Sequence, residues 1–154
     1  MKRLLLLLAI TIGMAIGAEA QTGLEINSMF GGAYVADKGV TEIQMSGNQR
    51  YLREYRLSAL AIFKGPAEKY ASKIEKLVLA DGSKAVGRNV RYREGHLQYA
   101  CFSLPAEKVK GKPSLHRYIY YFYNKNTNPA TVLLVYMEGY IDTAKAERIF
   151  ISYT

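Results

Sequence analysis

Between residues 88 and 137 the chain contains four segments of strand length, rich in apolar and aromatic residues and separated by short polar stretches. Glu94-Gly95-His96 separates the first two segments, and the stretch at 124–129 (NKNTNP) separates the last two. Short turns of this kind join antiparallel strands, and asparagine, glycine and proline are the residues that such turns favour. This half of the chain therefore predicts an antiparallel sheet, which restricts the fold more than any other feature of the sequence.

The first half of the chain and its C-terminal end add two strands and up to three helices. A capping-box sequence at residues 22–25 precedes apolar residues at helical spacing, which predict a helix that ends at Gly39 and is weakened by Gly31-Gly32. Strands are expected at residues 40–45 and 57–63, and the polar stretch 48–56 has no clear assignment. Further helices are expected at residues 66–82 and 143–150, the latter capped by Asp142.

These elements together predict one α+β domain over residues 21–154. It would contain an antiparallel sheet of about five or six strands, with two or three helices mainly on one face. The chain has no internal repeat and no low-complexity segment. A single domain of this length is large enough to form a hydrophobic core without a metal or a disulfide.

Residues 1–20 have the three parts of a secretory signal peptide. Lys2 and Arg3 give a positive start, an apolar run occupies residues 4–15, and small residues at Ala18 and Ala20 provide a cleavage site. We therefore expect cleavage after Ala20 and export to the periplasm or outer envelope. The mature region has no segment long and apolar enough for a transmembrane helix. The only cysteine, Cys101, is far from the cleavage site, so neither a lipoprotein nor an intramolecular disulfide is expected.

The chain is basic, with a net charge of +8. Removal of residues 1–20 takes away two positive charges and one negative charge, which leaves +7 for the mature region. In a cytosolic protein this excess would suggest nucleic acid as a partner. For an exported protein we expect an anionic glycan, a lipid headgroup or another envelope protein instead, and no nucleic acid.

Two longer motifs resemble those of a known group of proteins. They are F..AY...KGVTEIQMS at residues 30–46 and LLVYMEGYIDTAKAERI at residues 133–149. With the N-terminal signal and the helix in the middle of the chain, they resemble a family of small exported proteins of unknown function from Bacteroidetes-type bacteria. The resemblance implies a periplasmic or outer-envelope protein. It implies no activity and no binding residues.

Residues suited to catalysis or metal binding are few and widely spaced. His96, His116 and Cys101 show none of the short spacings of a zinc site, and no cofactor motif is present, so neither a metal nor a cofactor is expected. Cys101 lies in an apolar strand segment, where an inert buried thiol is expected. The candidate carboxylates for a small secreted hydrolase, which is the alternative to a binding protein, are Glu54, Glu94, Glu138 and Asp142.

The segment at residues 116–124 (HRYIYYFYN) is the most unusual part of the sheet. Alternation places Tyr118 and Tyr120 on one face of the strand and Arg117, Tyr121 and Tyr123 on the other. The strand is either central and covered on both faces, or it presents an aromatic surface. Since a charged side chain is rarely buried without a partner, the second interpretation leaves the Arg117 face at least partly open.

On that interpretation the protein is a non-enzymatic envelope protein with a Tyr/Arg-rich binding face. We expect the strand segment at residues 90–93 to neighbour the tyrosine segment in the sheet, where it adds two more arginines beside the rings. Tyrosine and arginine are both enriched in protein interfaces, and together they also suit acidic ligands. The predicted binding residues are Arg117, Tyr121, Tyr123, Arg91 and Arg93.

Overall fold

A computed structural model describes residues 23–108 and 110–154. The predicted signal peptide, its cleavage site and the start of the capping box at Thr22 lie outside the described residues. In these residues six strands form one sheet: β1 (Thr41–Ser46), β2 (Leu57–Pro66), β3 (Gly87–Arg93), β4 (His96–Glu107), β5 (Leu115–Asn124) and β6 (Thr131–Gly139). The same part of the chain contains three α-helices: α1 (Arg50–Glu54), α2 (Ala67–Gly82) and α3 (Thr143–Ile151).

All neighbouring strands are antiparallel, and their order across the sheet is β1-β2-β6-β5-β4-β3. The α+β class and the antiparallel sheet predicted from the sequence are therefore confirmed. The β3–β4 hairpin turns at Glu94 and Gly95, whose φ angles of 53° and 79° are those of a tight two-residue turn. The β5–β6 hairpin turns within the predicted polar stretch, where Asn124 Oδ1 accepts a hydrogen bond from the Asn126 N–H.

The helices divide between the two faces of the sheet. The longest helix, α2, covers the face that we call the α2 face, and it buries Tyr70, Ile74 and Val78 there. The short helices α1 and α3 cover the opposite face, the α3 face, through Leu52 and Phe150. The sequence predicts helices mainly on one face of the sheet. In the structure the longest helix covers the α2 face, and the two short helices cover the α3 face.

The N-terminal segment differs from its prediction. Instead of a helix up to Gly39, it contains a 3₁₀ helix, Glu25–Met29, followed by turns. The helix ends at Phe30, whose φ of −110° and ψ of −178° are extended, and Gly31 and Gly32 follow with φ angles of 84° and 82° in the left-handed region.

Two buried carboxylates hold this segment against the domain. Asp81, at the end of α2, accepts hydrogen bonds from the backbone N–H groups of Glu25 and Ile26 at 2.8 and 2.9 Å. Glu42 of β1 accepts one from the N–H of Gly31 at 2.8 Å. The backbone N–H groups at a helix start or in a tight turn have no partner within that element, so they need such acceptors when they are not in contact with water.

The last helix forms as predicted. Asp142 precedes α3, and its Oδ1 accepts a hydrogen bond from the Lys145 N–H at 2.8 Å. Within the described part of the chain, no helix is long and apolar enough to cross a membrane.

Candidate functional site

The tyrosine-rich strand β5 is covered on both faces. It lies between β6 and β4, near the centre of the sheet. Tyr118 and Tyr120 belong to the core of the α3 face, with 2% and 0% of their surface exposed. Tyr121 belongs to the core of the α2 face and is 0% exposed. The prediction that Tyr121 lies on an open face is therefore wrong, because α2 packs across that face.

The side chain of Arg117 is mostly buried, so it does not make its face of β5 accessible to solvent. Its guanidinium forms an ion pair with Glu107 at 3.4 Å and donates a hydrogen bond to the carbonyl of Pro105 at 3.4 Å. Only 18% of its side chain is exposed. The neighbouring strand thus supplies the partner that the prediction assumed to be missing. Arg117 also lies at the opposite end of β5 from Tyr123, so the two do not form one site.

The two predicted arginines of β3 are exposed on the edge of the sheet, but their side chains contact different parts of the molecule. The guanidinium of Arg91 stacks over the ring of Tyr99 at 4.7 Å from its centroid, on the α3 face. Arg93, two residues on, lines a cleft at the end of the sheet with Tyr121 and Tyr123. The structure therefore brings three of the five predicted residues together, and it separates Arg91 and Arg117 from them.

We call this site the hairpin cleft, because it lies between the first turns of α2 and the β3–β4 hairpin. Its volume is about 480 Å³, within the range of small-molecule sites. Three buried residues contribute to its lining: Ala67, Leu97 and Tyr121. The exposed charged or titratable residues around it are Glu68, Arg93, Glu94, His96 and Lys125.

The two walls of the hairpin cleft differ in charge. The α2 wall carries Glu68 and the half-buried Glu75. The sheet wall carries two cations, Arg93 and Lys125, one carboxylate, Glu94, and the half-buried ring of Tyr123. A ligand in this cleft would meet acceptors on one side and cationic donors on the other.

The hydroxyl of Tyr121 is the most unusual polar group at the cleft. It is buried and has no hydrogen-bond partner among the described residues. Burial raises the pKa of this hydroxyl, and the nearby carboxylate of Glu75 raises it further.

The residues considered for catalysis do not converge. Cys101 is buried, as predicted, and burial raises the pKa of its thiol, which disfavours the nucleophilic thiolate. His96 begins β4 and His116 lies near the start of β5, so the antiparallel pairing of these strands puts the two imidazoles at opposite ends of the sheet. In residues 23–108 and 110–154, no group of three or more histidine, cysteine or acidic side chains is arranged to hold a metal ion.

The candidate carboxylates are also dispersed. Glu138 accepts hydrogen bonds from the hydroxyls of Ser58 at 2.9 Å and Tyr136 at 2.7 Å. Asp142 caps α3. Glu54 lies exposed at the end of α1, and Glu94 lies exposed in the β3–β4 turn. No two of these carboxylates share one of the two clefts described here.

A second cleft of about 480 Å³ lies at the opposite end of the sheet and is lined by Ser114, His116 and Asp142, among others. Hydroxyl, imidazole and carboxylate are the groups of a hydrolytic triad. In the described part of the chain, however, His116 makes no hydrogen bond to Ser114 or Asp142, and its ring instead stacks beside that of Tyr118. The three side chains are neighbours without the contacts that a triad needs.

Sequence reasoning missed most of the hairpin cleft. The sequence places Lys125 and His96 in turns and predicts a helix at residues 66–82 without marking it as the wall of a site. The one signal in the sequence was the short turn at Glu94 and Gly95, which brings Arg93 beside His96. The contribution of α2 depends on how the helix crosses the sheet, which its own sequence does not specify.

The comparison with known proteins gives a family but no activity. No curated protein and no solved structure matches the chain. A family of unknown function (DUF6108) matches residues 13–150, which is nearly the whole chain. This match confirms the expected membership of a family of unknown function, while the Bacteroidetes-type origin and export stay predictions. The chain therefore belongs to the family of unknown function DUF6108.

Proposed function

We propose that the protein is an exported, non-enzymatic binding protein of the cell envelope that binds the acidic sugars of an anionic glycan in the hairpin cleft. The observation that carries this proposal is the meeting of Tyr121, Tyr123 and Arg93 in one concave site. A cleft of about 480 Å³ suits one or two sugar units better than the broad, flat contact that a protein partner requires.

The charge distribution of the cleft fits an acidic sugar. Its carboxylate would bind at the sheet wall, where Arg93 and Lys125 supply cationic donors. Its hydroxyls would donate to the carboxylates of Glu68 and Glu75 on the α2 wall. The ring of Tyr123 offers an aromatic surface for the apolar face of the sugar. Opposite charges on the two walls thus favour a ligand that carries both an anion and hydroxyl donors.

Binding is favoured over catalysis because no pair of acid and base groups faces the cleft in a recognisable arrangement. Its only histidine, His96, is exposed at the start of β4, and the buried thiol of Cys101 faces the opposite side of the sheet. The net charge of +7 expected for the mature region adds a general attraction for anionic polymers, which salt screens over about 8 Å at physiological ionic strength. Export rests on the signal-peptide pattern of residues 1–20.

The test is an array of acidic and neutral glycans probed with the protein and two variants. Arg93→Ala combined with Tyr123→Ala removes one cation and one ring from the cleft. Arg148→Ala removes an exposed cation from α3, on the other face of the sheet, and leaves the cleft intact. We expect acidic glycans to be retained by the wild type and by Arg148→Ala. The double variant should bind them at least about tenfold more weakly, since a charge-assisted hydrogen bond contributes about 1.5–3 kcal/mol.

Three results would contradict the proposal. Equal binding of neutral and acidic glycans would show that the cations have no role. Equal loss in the double variant and in Arg148→Ala would show non-specific attraction to net charge. Cleavage of a bound glycan by the wild type, measured as new reducing ends, would support the hydrolase alternative.

A further inference from the structure

The second cleft, at the opposite end of the sheet from the hairpin cleft, has no part in the proposed function. Its volume is about 480 Å³, and its lining combines the cationic or titratable side chains of Arg56 and His116 with polar groups of Ser114, Tyr140 and Asp142. The motif at residues 133–149, one of the two that carry the family resemblance, supplies residues 140–143 of this lining.

The register of the strands brings Arg56 and His116 to this cleft. Gly139, the last residue of β6, pairs with Leu57 of β2 on one side and with His116 of β5 on the other. Arg56 directly precedes Leu57, so Arg56 and His116 flank the same end of β6. His116 is half-buried, and its ring stacks beside that of Tyr118 with 6.4 Å between the ring centroids, which orients the imidazole.

Arg56 has a backbone conformation that arginine rarely adopts. Its φ angle of 58° lies in the left-handed region just after the end of α1, where glycine is the usual residue. Its carbonyl accepts a hydrogen bond from the Tyr140 N–H at 3.0 Å, and its own N–H donates to the carbonyl of Arg53 at 3.1 Å. Strained residues that the surrounding structure holds in place cluster at functional sites. The backbone therefore fixes the point at which an exposed guanidinium leaves the chain beside the cleft.

Most polar side chains of the second cleft have no partner within the fold. Four of them make no hydrogen bond or ion pair in the described part of the chain: Arg56, Ser114, His116 and Tyr140. Among the described residues of the lining, Asp142 is the only carboxylate, and its Oδ1 already accepts the hydrogen bond from the Lys145 N–H that caps α3. An arginine fork, an imidazole and two hydroxyls thus remain available to one ligand.

This set of donors fits a phosphate group. A phosphate monoester carries about 1.5–2 negative charges at neutral pH and three strong acceptor oxygens. The guanidinium of Arg56 binds two such oxygens at once, and His116 and Ser114 supply further donors. A carboxylate has one charge and two oxygens, so it would use fewer of these donors.

The size of the cleft requires more than a phosphate ion. A volume of about 480 Å³ is that of a small-molecule site. The ring of Tyr140, which is 37% exposed, offers an aromatic surface for the apolar face of a sugar. The second carboxylate oxygen of Asp142 is an acceptor for a sugar hydroxyl.

We propose that the second cleft binds the phosphate monoester of a sugar, with the phosphate at Arg56, His116 and Ser114 and the sugar ring against Tyr140. The site is separate from the hairpin cleft, because the two clefts lie at opposite ends of the sheet. The inference therefore goes beyond the proposed function and does not rest on it.

Isothermal titration calorimetry with three compounds tests the ligand class. Glucose 1-phosphate carries both the phosphate and the ring, glucose carries the ring alone, and inorganic phosphate carries the phosphate alone. For the wild type we expect glucose 1-phosphate to bind at least about tenfold more tightly than either of the others, since the phosphate and the ring each add contacts. Failure of glucose 1-phosphate to bind, or binding no tighter than that of glucose, would overturn the proposal.

Arg56→Gly is the most informative variant, because glycine adopts the left-handed conformation without strain while the guanidinium is removed. We expect it to be at least as stable as the wild type in urea unfolding and to bind glucose 1-phosphate at least about tenfold more weakly. Arg53→Ala is the matched control. It removes an exposed cation from the neighbouring helix α1, outside the cleft, and should bind like the wild type.

Two variant results would contradict the proposal. Wild-type affinity in Arg56→Gly would show that the guanidinium does not bind the ester, and an equal loss in Arg53→Ala would show attraction to net charge alone. The double variant Arg93→Ala, Tyr123→Ala should keep its affinity for glucose 1-phosphate. Loss of binding in that variant would place the ester in the hairpin cleft, which overturns this inference and leaves the proposed function standing.

A phosphate monoester on a sugar occurs in free sugar phosphates and in the headgroups of phosphorylated glycolipids. Vesicles that contain lipid A separate these sources in a competition assay against glucose 1-phosphate. Competition by the vesicles supports a glycolipid headgroup as the ligand, whereas binding of glucose 1-phosphate without such competition supports a free sugar phosphate.

Discussion

Replacement of Asp81 by alanine should destabilise the domain by about 2–4 kcal/mol. The carboxylate links the end of α2 to the start of the 3₁₀ helix through the N–H groups of Glu25 and Ile26, at 2.8 and 2.9 Å. The Ile26 donor is buried, so its loss of an acceptor carries the full desolvation cost of about 1–3 kcal/mol. The Glu25 donor is partly exposed, so water replaces the carboxylate there at a smaller cost.

The pH dependence of this effect has a definite sign. Burial raises the pKa of Asp81 above its ordinary value of 3.8, more than the two backbone hydrogen bonds lower it. The folded state therefore keeps the Asp81 proton to a higher pH than the unfolded state does. Stability from this group is fully present below pH 3.8 and is lost as the pH rises through the folded-state pKa.

Urea unfolding of the wild type, Asp81→Ala and Asp81→Asn between pH 3 and pH 7 tests both points. The free energy of unfolding should fall for Asp81→Ala with little change in its urea dependence. The difference in stability between the wild type and Asp81→Asn should be larger at pH 3 than at pH 7. Glu54→Ala, which removes an exposed carboxylate from α1, is the control and should be within about 0.5 kcal/mol of the wild type. A difference that grows with pH, or an Asp81→Ala variant as stable as the control, would refute the reasoning.

Three further predictions concern single positions. Gly139→Ala should destabilise the domain by about 1–3 kcal/mol in urea unfolding, since the added Cβ would lie 2.5 Å from the backbone oxygen of Arg56; an unchanged midpoint would contradict this. Cys101 should react with a thiol reagent only as fast as the domain opens, because it is 6% exposed, and rapid labelling of the native protein would restore a nucleophilic role. Mass spectrometry of the protein from its host should find Gln21 at the mature N-terminus, and retention of residues 1–20 would remove the basis for export.

The sheet was predictable because its signals are local. Polar turns at residues 94–96 and 124–129 set the two hairpins of the second half, and each lies between strands that pair directly. The cap of α3 was also predictable, because an N-cap carboxylate bonds a backbone group three residues away. Local chemistry of this kind does not depend on the rest of the fold.

One local prediction failed, and one stretch that carried no prediction contains a helix. The apolar spacing after Glu25 is helical, but the backbone is extended at Phe30 and left-handed at Gly31 and Gly32, so the helix ends after Met29. The stretch that had no assignment contains the short helix α1, whose Leu52 is fully buried against the α3 face. One buried leucine among polar residues is too weak a pattern to predict a helix of five residues.

The hairpin cleft depends on tertiary placement. Its α2 wall and its sheet wall are separated in sequence, and the register between Leu97 and Tyr99 shifts at a bulge. This bulge places Leu97 in the core of the α2 face and Tyr99 in the core of the α3 face, although two residues apart they would share a face in a regular strand. Strand alternation alone therefore predicts the wrong side for one of them.

The tyrosines of β5 show that exposure is a poor guide to function in a strand covered on both faces. Every ring in the middle of the strand is buried, so a search for an exposed aromatic surface finds none there. What distinguishes these residues is the fate of each hydroxyl. Tyr118 has an acceptor within the fold, whereas Tyr120 and Tyr121 have none in the described part of the chain. Because an unpaired buried donor is costly and phenylalanine would avoid that cost, these two hydroxyls each lower the stability of the fold, one in the core of the α3 face and one in the core of the α2 face.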